Sequence, residues 1–379
     1  MLSLFYVTLG LLLVYGILIR YYEYAWERIP SLDAAIPFLP SPAKVTVVVP
    51  ARNEEGNIVR CLDALGAQQY PGELLEIIVV NDHSTDGTAG VVMAHRARNL
   101  RLVNLADYVK GPINSYKKKA IEVAVSLAGG ELVVTTDADC TAGPGWISSL
   151  VACYRAHDAR FMAAPVKIEA GRSLLSVFQA LDFMTLQGIT GAAVYKKFHS
   201  MCNGANLAYS KAAFYQVGGF QGIDQIASGD DMLLMHKIFS AYPDHVFFIK
   251  DKAAIVSTQA APSWKAFFHQ RIRWASKADK YNDKRILPVL LLVYCLNLCC
   301  FCFLIAGLWN PRWLLFFLIL VVAKTGAEFS FVRRVALFFG QRPLLVYFPF
   351  MQPLHIMYTV AAGFLGKFGR YEWKSRKVK

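Results

Sequence analysis

Long uncharged apolar runs stand at both ends of this chain, and between them, from Lys44 to about Lys280, lies a stretch with the composition of an ordinary water-soluble domain. Leu2 to Ile19 carries no charge over 18 residues, which as a helix spans about 27 Å of a hydrocarbon layer about 30 Å thick. Ile286–Leu308 is uncharged over 23 residues. Trp313–Val332 is interrupted by Lys324 and Glu328, one helical turn apart and so able to pair on one face. Leu344–Gly366 is apolar again but holds Pro349, Pro353 and His355. The expected organisation is an N-terminal anchor over residues 1–29, a soluble domain over 44–280, membrane segments over 286–366 and a basic tail over 367–379.

A cleaved signal peptide would place basic residues before the first run and a small-residue cleavage site after it. Here Arg20-Tyr21-Tyr22-Glu23 follows instead. The run reads as a retained anchor with its N-terminus outside the cell membrane and the middle of the chain in the cytoplasm. Four full crossings would then leave the tail outside, against the preference of basic flanks for the cytoplasm. One C-terminal segment, the proline-containing one, is therefore expected to be re-entrant or to lie in the interface.

The chain is 55% hydrophobic and 18% charged, against about 45–50% and 25% in ordinary domains, which excludes disorder. Its net charge of +13 could suggest nucleic acid. However, the cations gather beside apolar runs: Arg20 and Arg28; Lys280, Lys284 and Arg285; Lys367, Arg370, Lys374, Arg376, Lys377 and Lys379. That pattern suits anionic membrane lipids, and no nucleic-acid reading module accompanies it. Cys295, Cys299, Cys300 and Cys302 share one apolar run, while Cys61, Cys140, Cys153 and Cys202 are scattered without metal-finger spacing, as reduced thiols acting as small apolar residues would be.

The middle alternates strand and helix patterns. Val45–Val49 is β-branched; Asn53 offers a helix N-cap with Glu54 and Glu55 in the first turn and Ile58, Leu62 and Leu65 on one face. Glu76–Val80 precedes a helix after Asp86, Leu100–Leu105 precedes Lys117–Ala128, and Leu132–Thr136 precedes Trp146–His157. Repeated βα units imply an α/β fold with a mostly parallel sheet, whose ligands bind beyond the carboxyl ends of the strands. Asp82 stands just past one such end, and Asp137 and Asp139 past another. Period-two alternation would put the last two on one side. Clustered carboxylates repel and call for compensation, and a divalent ion with hard oxygen ligands is the obvious candidate. Taken alone, Asp-x-Asp is common in loops and reads first as a solvated turn.

In order along the chain come Pro50-Ala51-Arg52-Asn53-Glu54-Glu55, Asn81-Asp82-His83-Ser84-Thr85-Asp86-Gly87-Thr88, Asp137-Ala138-Asp139, Gly229-Asp230-Asp231 and Gln270-Arg271-Ile272-Arg273-Trp274. This series resembles the inverting family 2 glycosyltransferases, and within them the membrane-embedded branch of cellulose, hyaluronan and poly-N-acetylglucosamine synthases and ceramide glucosyltransferase. The resemblance covers residues 44–280. It implies a GT-A type nucleotide-diphospho-sugar transferase fold and an enzyme moving a sugar, from a UDP-sugar, to a hydroxyl of a lipid or polysaccharide acceptor, by single transfer or short extension.

By the same resemblance, Glu54 and Asp82 belong to the donor side, with Asp82 holding the base or ribose. Lys117 would meet phosphate, although Tyr116 replaces the family's usual glycine and Lys118 and Lys119 compete for the role. Asp137 would face the donor ribose or sugar, and Asp139 would hold Mg2+ or Mn2+ at the diphosphate. Asp231 corresponds to the base that deprotonates the acceptor. Asp230, where the family often has glutamate, either shares the site or caps the helix Met232–Ser240. Arg273 would contact pyrophosphate, with Gln270 and Trp274 on the acceptor side; the alternative is an interfacial helix whose Arg and Trp touch headgroups. Asn203-Gly204-Ala205-Asn206 either lines the acceptor side or is a turn. His83, His199, His236 and His269 share no ligand spacing and read as ordinary polar residues, and Ser173–Val194 reads as a one-sided apolar helix on the membrane face. Other readings are a non-catalytic membrane scaffold or sensor that binds nucleotide-sugar, and a transporter, for which one intramembrane acid–base pair offers no pathway.

Overall fold

The computed structural model describes residues 1–31, 42–97, 99–226, 229–276, 283–368, 371–373 and 376–378. Lys280, Arg370, Lys374 and Lys379 of the basic flanks lie outside them. The chain divides into two compact units: Ile29–Lys167 with Ser200–Gln259, and Met1–Arg28 with Ile168–His199 and Ala260–Lys379.

In chain order the elements are α1 (Leu2–Arg28), β1 (Val45–Ala51), α2 (Ile58–Gly66), β2 (Leu75–Asn81), α3 (Thr88–Ala94), β3 (Leu100–Asn104), α4 (Tyr116–Leu127), β4 (Leu132–Thr135), β5 (Thr141–Ala142), α5 (Trp146–His157), β6 (Phe161–Ala163), β7 (Val166–Glu169), α6 (Leu174–Tyr195), β8 (Leu207–Ser210), α7 (Lys211–Gln216), α8 (Met232–Ala241), β9 (Val246–Phe248) and β10 (Val256–Gln259). There follow α9 (Trp264–Ala275), α10 (Ile286–Gly307), α11 (Pro311–Phe338), α12 (Phe348–Phe368) and a short hairpin, β11 (Tyr371–Trp373) and β12 (Arg376–Val378).

The first unit is built on a seven-stranded sheet in the order β3-β2-β1-β4-β8-β6-β9. β3, β2, β1 and β4 run parallel, β8 is antiparallel to β4 and β6, and β9 is parallel to β6. The runs Val45–Val49, Ile77–Val80 and Leu132–Val134 are fully buried, as expected of parallel strands with both faces covered. A small sheet, β5-β10-β7, lies apart from it. Of the predicted αβ alternation, one detail differs. Asn53 does not cap a helix: α2 starts at Ile58 behind Asn57, and Glu54 and Glu55 precede its first turn. The reason is tertiary. Asn53 adopts a left-handed backbone (φ 53°), and its side-chain oxygen accepts from the Thr85 amide at 2.9 Å. Ile58, Leu62 and Leu65 are buried as predicted, with Cys61 beside them.

The second unit is helical. α1, α10, α11 and the stretch Arg342–Lys367 are each long and apolar enough to cross a membrane. The proline-containing segment, expected to be re-entrant or interfacial, forms a continuous helix through Pro353, about 32 Å long. Residues 168–199 and 260–276 pack in this unit, so the segment 44–280 is not a single body. α6 shows why: instead of one apolar side it is buried almost all round, against α1, α11 and α12. A Cβ on its Gly188 would lie 2.4 Å from Val335 Cγ2 and 2.9 Å from Phe331 Cζ, so the glycine sets how closely α6 and α11 approach.

The predicted Lys324–Glu328 pair forms at 2.6 Å with both side chains buried. Lys324 also donates to Gln352 Oε1 at 2.8 Å, and Glu328 accepts from Tyr15 and Gln352. α1, α11 and α12 are thus joined by one satisfied polar cluster, as burial in an apolar setting demands.

Candidate active site

The loops leaving β1 and β2 brace each other. Arg52 Nη1 donates to the carbonyls of Asp82 and His83 at 3.0 and 3.2 Å, the Asn53 amide donates to Ser84 Oγ at 3.1 Å, and Glu55 Oε2 accepts from the Gly87 amide at 2.9 Å. Glu54 donates its amide to Thr88 Oγ1 at 2.8 Å and accepts from Asn57 Nδ2 at 2.9 Å. Asp82 is buried at the end of β2 with Oδ1 2.9 Å from His83 Nδ1. His83 itself takes a left-handed backbone (φ 52°), and its ring meets Tyr116 edge-on at 5.5 Å. His83, read from the sequence as an ordinary polar residue, therefore connects the Asp82 loop to the start of α4.

From that helix start Lys117 reaches the acids. Its Nζ lies 2.7 Å from Asp137 Oδ1 and 3.3 Å from Asp230 Oδ2. Burial alone would lower the affinity of this amine for its proton; Asp137, Asp230 and Asp231 together outweigh it and hold Lys117 above the ordinary lysine range. The three consecutive lysines separate because residues on a helix diverge by about 100°. Lys118 is buried and donates to the carbonyls of Ile223 and Ile226 at 2.6 and 2.7 Å, while Lys119 pairs with Glu122 at 2.8 Å. Lys117 therefore occupies the carboxylate cluster, and Lys118 ties α4 to the loop that leads to Asp230.

Asp230 and Asp231 share the site, and the capping role falls to the residue not expected to have it. Asp231, not Asp230, is the N-cap of α8: its Oδ1 accepts from the Met232 amide at 2.8 Å, and its Oδ2 accepts from the Gly204 amide at 3.2 Å. These bonds orient the carboxylate and leave each oxygen a second lone pair. Gly204 stands among the charged groups: a Cβ there would lie 3.3 Å from both Asp230 Oδ2 and Lys117 Nζ and 3.6 Å from Asp231 Oδ2. Of the same turn, Asn206 is structural, accepting from Trp146 Nε1 at 2.9 Å and donating to the carbonyls of Pro165 and Ala254, each at 2.8 Å.

Asp137 and Asp139 flank buried Ala138 and are both half-buried, in a loop that begins after the strand has ended at Thr135. Two thiols lie beneath their loop. Burial, reinforced by the charges of Asp139, Asp137 and Glu54, pushes Cys61 up to about 12; Cys140 Sγ lies 3.5 Å from Asp139 Oδ1. β1 separates β2 from β4, which sets Asp82 and the Asp137–Asp139 loop about 10 Å apart, a separation that an extended ligand could span. Gln270, Arg273 and Trp274 lie on α9 in the helical unit.

Among the described residues, no three His, Cys, Asp or Glu side chains form a ready-made metal cage. Half-buried Asp139 fits the other common arrangement, in which one or two carboxylates and the phosphates of a bound ligand complete the shell of Mg2+ or Mn2+.

Residues 46–218 match Glycosyl transferase family 2. The chain carries a glycosyl transferase family 2 domain. It is 29% identical over 291 residues to a probable glycosyltransferase, YdaM, of Bacillus subtilis, a match covering 72% of this chain and 65% of the relative. It is 34% identical over 262 residues to an N-acetylglucosaminyltransferase of Sinorhizobium fredii, covering 65% and 61%. The chain thus spans less than two thirds of either relative. The fold matches the mannosyltransferase PcManGT of Pyrobaculum calidifontis, solved with GDP-Man and Mn2+, with a TM-score of 0.56 and 22% identity, covering 96% of this chain and 97% of that one. The fold is that of the GT-A glycosyltransferases.

Proposed function

We propose that this protein is a membrane-bound inverting glycosyltransferase that moves a sugar from a nucleotide-diphospho-sugar to a hydroxyl of a lipid or polysaccharide acceptor. The observation that carries the reading is the meeting of Asp137, Asp230 and Asp231 around Lys117 and Gly204 beyond the strand ends. Asp231 takes the proton from the acceptor hydroxyl as that oxygen attacks the anomeric carbon, inverting it in one displacement. Asp82 and Glu54 hold the nucleoside end, Asp137 faces the ribose or sugar, and Lys117 offsets charge between the donor and Asp230. Mg2+ or Mn2+, held by Asp139 when bound, would neutralise the departing diphosphate. Arg273 is assigned to the pyrophosphate, and Gln270 and Trp274 to the acceptor.

A UDP-sugar is the donor class we favour, and the relatives named as N-acetylglucosaminyltransferases make UDP-N-acetylglucosamine the first to test. The four helices long and apolar enough to cross a membrane support a proposed location in the cell membrane, and in this reading the catalytic unit is in the cytoplasm and the partners are membrane lipids and not nucleic acid. The decisive experiment pairs thermal-shift screening of nucleotide-sugars with transfer assays on wild type and Asp231→Asn. The variant should bind the donor as wild type does and lose transfer; surviving transfer would place the base elsewhere. A wild type that neither hydrolyses nor transfers any donor would favour the non-catalytic sensor.

A further inference from the structure

Helix α9 carries a buried arginine for which the proposed reaction has no use. Arg271 Nη2 lies 2.7 Å from Asp182 Oδ2 on α6, with both side chains 3% exposed. The other Asp182 oxygen accepts from Tyr358 Oη on α12 at 2.6 Å, and His355 Nε2 is 3.8 Å from it. Among the described residues, neither Nε nor Nη1 of the buried guanidinium has a hydrogen-bond partner, and the Nη2–Oδ2 contact is an ion pair without hydrogen-bond geometry. The guanidinium Cζ lies over two aromatic rings, 4.3 Å from the Trp274 centroid and 4.9 Å from that of Phe267. Phe183 of α6 borders the same indole at 6.0 Å.

A buried ion pair with unmet N–H groups is a poor way merely to hold helices together, because desolvation offsets most of the Coulomb gain and apolar residues of similar volume often do as well. What such residues cannot supply is a flat cation against the face of an indole. We propose that Arg271, fixed by Asp182 and Tyr358, is a positioning residue that sets the orientation of the Trp274 ring for a glycan or glycolipid acceptor. The acceptor half of this statement rests on the function proposed above; the ring orientation does not.

The test uses the full chain in lipid nanodiscs, labelled with 5-fluorotryptophan, the Trp274 resonance being the one lost in Trp274→Phe. In Arg271→Lys that resonance should shift while the other tryptophans keep theirs. With octyl glucoside as the acceptor probe, KM for the acceptor should rise about tenfold, the loss expected of one buried cation–π contact. The donor KM should stay within twofold, and adding Arg271→Lys to Trp274→Phe should have no further effect. An unmoved resonance, or effects of the two substitutions that multiply, overturns the proposal. Should Arg271→Lys fail to fold, Asp182→Asn keeps the shape of the pair and must move the same resonance. A wild type inactive on every donor sinks the glycosyltransferase reading, yet the resonance still decides the positioning role.

Discussion

Replacing Lys117 by methionine removes a cation that touches two acids of the site at once. At an effective dielectric of about 20, contacts of 2.7 and 3.3 Å correspond to gross attractions of about 6 and 5 kcal/mol. Asp137 is 37% exposed, so water screens much of the first, while Asp230, 12% exposed, loses its partner in a drier setting. The net destabilisation should be about 2–4 kcal/mol, the usual result of stranding a part-buried charge. Thermal unfolding followed on the sheet unit should fall by about 4–16 °C. Because folding raises the Lys117 value, its contribution is complete below the unfolded value of about 10.4 and is lost only as pH rises through the folded one. The difference between variant and wild type should therefore be flat from pH 6 to 9. Adding Asp230→Asn should recover stability without recovering transfer. A Lys117→Met protein that melts within about 1 °C of wild type would refute the view that this ammonium balances the acids.

Three further outcomes follow from the same geometry. Asp139→Ala should abolish turnover while leaving the melting temperature and donor-free structure intact; a normal rate with unchanged metal dependence would remove Asp139 from the donor site. Gly188→Ala should destabilise the helical unit by about 1–3 kcal/mol, because its Cβ meets Val335 and Phe331, and unchanged thermal stability in nanodiscs would mean that α6 and α11 separate without cost. Single cysteines at Ser3 and Ser375 on a cysteine-free background should label from opposite sides of the membrane, the first outside, if the proline-containing helix lies in the interface; labelling of both from outside would mean that all four apolar helices cross and would defeat the interfacial placement.

Much of the site was legible because its signals are local. Asp82, Asp137 and Asp139 follow runs of β-branched residues, and a strand's end is where a parallel sheet exposes a ligand crevice. Asp231 could be identified by its place in the motif order, whereas its cap bond to Met232 and its bond from Gly204 could not. The choice among Lys117, Lys118 and Lys119 was open for a similar reason. All three carry the same charge, and only the angular setting of α4 decides which ammonium faces Asp137 and which meets the Ile223 and Ile226 carbonyls. Asn53 misled because the N-cap rule weighs only neighbours along the chain, whereas its actual partner, Thr85, is 32 residues away. The role of Arg271 and Asp182 left no local trace: they are 89 residues apart, and neither lies in an unusual local pattern.

The amino-acid order alone settled what depends on periodicity and on unbroken apolar length. It specified helices long enough to cross a bilayer, repeated βα units, acids at strand ends, and the Lys324–Glu328 pair one turn apart. Tertiary structure decided everything that depends on groups far apart in sequence meeting in a low-dielectric interior. There, a carboxylate's partner is whichever cation the packing brings within about 3 Å, so Lys117 could be matched to Asp137 and Asp230, and Arg271 to Asp182, only once the helices carrying them were in place.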